Sequence, residues 1–153
     1  MEPRSASQLA VIIKVAPLVD TLVEAHGFRP DSIYVEYCWL GVLGPTSTFA
    51  YRRLGLIAAA TPAGSEAPVD LVDLAVSLGL GEGTGRNSLM ARALRRLVQF
   101  GAAEWRGDAL AVRRALAPLT VRQLGRLGFT ARAMHHRITE QHRAGGHGAH
   151  GTR

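Results

Sequence analysis

Cysteine is almost missing from this chain: Cys38 is the only one in 153 residues. A single thiol closes no disulfide within the chain and builds no thiolate metal site, so Cys38, beside Tyr37 and Trp39, is expected in the core. Lysine is as scarce, with Lys14 alone against 17 arginines. There is no run of 18 or more apolar residues, so neither a membrane-spanning helix nor a membrane partner is expected. The N-terminus has one basic residue, Arg4, and a short apolar run that Lys14 interrupts, which is not the pattern of a secretory leader. A reducing cytoplasm, at the nucleoid, is the expected location.

Catalytic groupings are missing too. No Ser/His/Asp order comes with supporting glycines. Asp70 and Asp73 fall in the first turn of a helix, where the helix dipole favours negative charge without any catalytic role. The histidines are His26, His135, His136, His142, His147 and His150. His135 and His142, seven apart, could share a helix face, but only Glu140 accompanies them as a further ligand type. No catalytic residue, metal or cofactor is therefore expected, and the chain is read as a non-enzyme.

What is present is a charge split. Residues 1–85 hold five basic and nine acidic side chains; residues 86–153 hold thirteen basic and three acidic, net −4 against net +10. The abundance of arginine, alanine and glycine fits a GC-rich bacterial genome, but codon bias would not remove acids after Arg86. A basic half beside a mildly acidic half points to a polyanion on one face, nucleic acid being the commonest. At 47% hydrophobic and 20% charged, the chain has the composition of one globular domain.

Along the chain, residues 1–8 are expected to fray. Apolar spacing from Leu9 to Ala25 is close to a helical period, with Pro17 as a break or fresh first turn. The segment 32–42 mixes aromatic and β-branched residues and is read as a helix, with a strand as the alternative. Helices are expected over 46–60 and 69–80, separated by the loop TPAGSEAP. The stretch GEGTGRNSLMARALRRLVQFG follows. From Ser88 to Phe100 its apolar residues fall on one side, while Ser88, Arg92, Arg95, Arg96 and Gln99 fall on the other. Asn87 or Ser88 caps this helix. Residues 102–114 alternate around an Arg-Gly-Asp turn and are read as a β-hairpin, with Trp105 anchoring it to the core. Short helices follow from Thr120 and Thr130, and residues from 144 onward are expected to be disordered.

The glycines invite a nucleotide-loop reading that the residues refuse. A Walker loop needs Lys and then Ser or Thr after its last glycine; here Arg86 and Asn87 follow. A dinucleotide loop needs G-x-G-x-x-G after a strand; this is G-x-G-x-G after a helix. Bare backbone N–H groups at the start of a basic helix suit a DNA phosphate better.

Helix, helix, glycine-rich turn, basic helix and hairpin resemble the winged helix-turn-helix family over residues 45–116. VDLVDLAVSLGL is similar to its first helix, NSLMARALRRLVQFG to its recognition helix, and AAEWRGDALAVRR to its wing. The turn from Gly79 to Asn87 is longer than the motif's three or four residues. The resemblance implies a mostly α fold with a small β-hairpin, a winged helix-turn-helix with extra N-terminal and C-terminal helices. Residues 1–44 would be a helical extension serving core or dimerisation, 117–143 C-terminal helices, and 144–153 a disordered tail. It implies binding of double-stranded DNA through Arg86, Asn87, Ser88, Arg92, Arg95, Arg96 and Gln99. Arg106, Arg113 and Arg114 would join from the wing. The implied role is transcription regulation, with a homodimer as a further expectation. The alternative is a protein–protein interaction module without nucleic-acid contact; ion pairs between Arg92, Arg95 and Arg96 and the acidic N-terminal region would mark it.

Overall fold

The computed structural model describes residues 11–147. The fraying expected of residues 1–8 lies outside the described residues. The first element is a strand, β1 (Ile12–Leu18), followed by α1 (Thr21–His26). A π-helical turn, Val35–Trp39, runs into α2 (Leu40–Leu43), and Gly44 separates it from α3 (Pro45–Ala60). Then come β2 (Ala67–Asp70), α4 (Leu71–Ser77), α5 (Leu89–Gln99), and the hairpin of β3 (Ala103–Arg106) and β4 (Ala109–Arg113). The chain continues through α6 (Val121–Leu124) into α7 (Phe129–His147).

The four strands form one mixed sheet in the order β2-β1-β4-β3. This overturns the expected mostly α winged helix-turn-helix: the sheet is a full layer, and the fold is α/β with seven α-helices among the described residues. The difference arises at the N-terminus. Residues 9–25 were expected to be helical, but Ile12, Ile13 and Val15 are β-branched and fit a pleated surface. β1 runs antiparallel to β2, with Ile12 opposite Asp70, and parallel to β4, with Lys14 opposite Ala109. Its pairing with β2 ends at Val15, so Pro17 has only β4 beside it and its missing N–H breaks no second ladder. The helical extension expected for residues 1–44 is thus built around a central strand. Pro68 likewise lies on β2, an edge strand.

The core lies between the sheet and the helices. α3 packs across β1 and β4 and against α5, while α5 also packs on β3. Ala50, Tyr51, Leu54 and Ala58 of α3 are fully buried. Asp70, the last residue of β2, is the N-cap of α4 and its carboxylate accepts from the N–H groups of Val72 and Asp73, so the helix expected over 69–80 starts only at Leu71. Thr120 caps α6 through a reciprocal box with Gln123. α7 packs on the π-helical turn and runs on to His147, so the tail expected to be disordered from residue 144 is still helical there; residues 148–153 lie outside the described residues.

Candidate nucleic-acid interface

Ser88 starts α5: its Oγ accepts the Ala91 N–H at 3.1 Å. Met90, Ala93, Leu94 and Leu97 are buried, which fixes the helix's rotation and turns Arg92, Arg95, Arg96 and Gln99 outward. Arg86 and Asn87 are exposed just ahead of the cap. The loop between α4 and α5 bends through Gly79 and Gly81, both at φ +74°, a conformation that side chains disfavour.

Two of the arginines are held by neutral partners. Arg95 Nη1 donates to the Arg86 carbonyl at 2.7 Å, and Arg96 Nη2 donates to the Val42 carbonyl at 3.0 Å. The Arg96 guanidinium also lies 5.3 Å from the centre of the Phe100 ring. Among the described residues, Arg86, Arg92, Arg95 and Arg96 form no ion pair. Among the described residues, the ion pairs expected of a protein–protein module are thus not seen at this face.

The hairpin arginines sit differently. Arg106 donates to Glu104 at 2.7 Å, and Asp108 at the tip faces Lys14 at 3.4 Å, so the tip is close to charge-balanced. Arg113 bonds the Gly101 carbonyl and, at 3.0 Å, Asp20; Arg114 grips Glu24 through two hydrogen bonds. Asp20 caps α1, and its carboxyl is held below the usual range by the Val23 N–H first and Arg113 second. The structure thus gathers Arg86, Asn87, Ser88, Arg92, Arg95, Arg96 and Gln99 on one surface, while Arg113 and Arg114 tie β4 to α1. Trp105 is half exposed beside Leu94 and Arg95 rather than sunk in the core.

One wall of this surface went unread in the sequence. The start of α3, Gly44 to Ser47, faces Arg92, Arg95, Arg96 and Gln99 across a groove of about 530 Å³. Gly44 has no side chain to cap α3, and Pro45 follows it. The Gly44-Pro45-Thr46 run was the available signal: an N-cap with no side-chain acceptor leaves the first helical N–H groups unfilled. At α5 one of the corresponding groups, the Ala91 N–H, is already met by Ser88 Oγ.

Among the described residues, no group of three or more His, Cys, Asp or Glu is placed to hold an ion. His135 is buried, with Nδ1 2.7 Å from the Tyr34 hydroxyl. That hydroxyl also accepts the Leu119 N–H at 2.8 Å, so a single oxygen links His135 to the chain ahead of α6. His26 and His142 line the same cavity of about 350 Å³. Burial first, then His136 and Arg143, lower the pKa of His135. A lowered folded-state pKa means the unfolded chain binds the proton more tightly, so stability falls as pH drops below the unfolded value of about 6.5. Thermal melts from pH 7.5 to 5 should show a falling midpoint, and His135→Gln, which has no such proton to gain, should flatten the fall. Equal slopes would remove His135 as the cause. Cys38 is fully buried, and burial raises its thiol pKa to about 11, as a core residue requires.

No family profile, curated protein or solved structure matches this chain.

Proposed function

We propose that the chain binds double-stranded DNA through the exposed face of α5, in the service of transcription regulation. One observation carries this reading: Arg86, Arg92, Arg95 and Arg96 share a surface on which no carboxylate neutralises them among the described residues. Leaving like charges together costs stability, and a polyanion offsets that cost. A single helix fits the major groove, where the arginine fork meets guanine edges or phosphates. Two acids of the N-terminal region, Asp20 and Glu24, are engaged by Arg113 and Arg114 instead.

The test is fluorescence anisotropy on a random-sequence duplex across a salt series. Four cations against phosphate predict log affinity falling linearly with log salt, at a slope of about −3.6. Absence of binding at about 50 mM salt, with folded protein at micromolar concentration, would end the nucleic-acid reading.

A further inference from the structure

We propose that the groove between the start of α3 and the arginine face of α5 is a phosphoryl-binding site. The proposal deepens the duplex-binding reading, and its nucleic-acid arm rests on that reading. The arginines carry it. Arg92, Arg95 and Arg96 line one wall, and the groove's lining contains no carboxylate, so no acid within it neutralises them. Arg96 is already anchored to the Val42 carbonyl through one Nη, which leaves its remaining N–H donors for a second partner without a search through rotamers.

The opposite wall adds donors of another kind. α3 has no side-chain cap, and its first main-chain bond back to the preceding turn is that of Thr48 to the Gly44 carbonyl at 3.0 Å. The N–H groups of Thr46 and Ser47 precede that bond, at the positive end of a 16-residue helix. The Ser47 hydroxyl is turned to the Ala93 carbonyl at 3.4 Å, which holds this turn of α3 against α5. Guanidinium forks on one side and main-chain N–H groups on the other present donors from two directions. That suits a tetrahedral phosphate oxyanion better than a flat carboxylate. About 530 Å³ exceeds what one phosphate fills, so a phosphodiester with part of its sugar fits, as does a free phosphorylated small molecule.

Thr46→Glu separates the site from the fold. A carboxylate in the first turn of α3 favours the helix while placing negative charge in the groove. Wild type and Thr46→Glu would be compared in two arms: calorimetric titration with sodium tripolyphosphate at fixed ionic strength, and anisotropy on the random duplex. Thermal melts should show the variant at least as stable as wild type. The expected result is tripolyphosphate binding by wild type below about 1 mM Kd, weakened tenfold or more by Thr46→Glu. In the duplex arm the variant should bind at least tenfold weaker, with a shallower salt slope.

If wild type binds both ligands and the variant loses both, the groove takes a backbone phosphate. If wild type binds only tripolyphosphate and the variant loses it, the groove takes a free phosphoryl ligand and the duplex reading fails alone. If wild type binds duplex and Thr46→Glu matches it in both arms, the groove proposal is overturned while duplex binding stands. If wild type binds neither, both are overturned.

Discussion

Arg92→Glu with Arg95→Glu is expected to weaken duplex binding by about a hundredfold or more at near-physiological salt. Each replacement removes one positive charge and adds a negative one, four units of charge in all. A unit charge about 4 Å from a phosphate in water is worth roughly 1 kcal/mol before screening, and 1.4 kcal/mol is tenfold in affinity. Four units therefore span two to three orders of magnitude, with salt screening favouring the lower figure. The fold should survive. Both side chains are exposed, and the one side-chain hydrogen bond either makes among the described residues is Arg95 to the Arg86 carbonyl, so the melting midpoint should move little. Anisotropy across the salt series should show the slope falling by about two phosphates, and a loss without a slope change would point to a misfolded variant instead. The same pair of substitutions on Arg113 and Arg114 would be uninformative, because it would break the bridges to Asp20 and Glu24.

Tyr34→Phe is expected to cost about 2–4 kcal/mol of stability, because one hydroxyl serves two buried partners. Tyr34 is 1% exposed, stacked on Phe28 with ring centroids 3.9 Å apart, so the ring itself is retained in the variant. What goes is the acceptor for the Leu119 N–H and the hydrogen-bond partner of His135 Nδ1. Each orphaned buried group costs about 1–3 kcal/mol. For a domain of this size the melting midpoint should drop roughly 5–15 °C. Burial raises the Tyr34 phenol pKa to about 12, so the proton that makes the bond is present throughout the pH range of such melts. A variant melting within about 2 °C of wild type would show that neither bond contributes. The expected damage is local at first, since Tyr34 ties the π-helical turn to the chain ahead of α6 and to α7.

The elements that could be read from the sequence are those with one hydrophobic face and an obvious cap. α5 was legible because Met90, Ala93, Leu94 and Leu97 alternate with its arginines at helical spacing and Ser88 precedes them. The hairpin was legible from the turn at Gly107, φ +62°, between alternating residues. β1 was not: Val15, Pro17 and Leu18 are buried while Lys14 and Ile12 are exposed, and this short pattern in a run of apolar residues also fits a helix. The partners of the hairpin arginines were not legible for a different reason. Whether Arg113 and Arg114 face solvent or a carboxylate depends on α1, which only the folded sheet brings alongside. The α3 wall of the groove was hidden in the same way, because the position of Thr46 opposite Arg92 is a tertiary fact.

The placement of β1 bears on how the chain is made. Of the four described strands it leaves the ribosome first, yet it lies in the middle of the sheet, and its parallel partner β4 is made last of the four. Until β2 emerges, β1 has neither neighbour; until β4 does, one edge carrying Ile12, Ile13 and Val15 stays open. Such pairing across most of the chain slows folding and exposes a strand that other nascent chains can join. The sheet therefore closes only after the hairpin has cleared the exit tunnel, and early chaperone binding to residues 12–18 would keep that edge from aggregating.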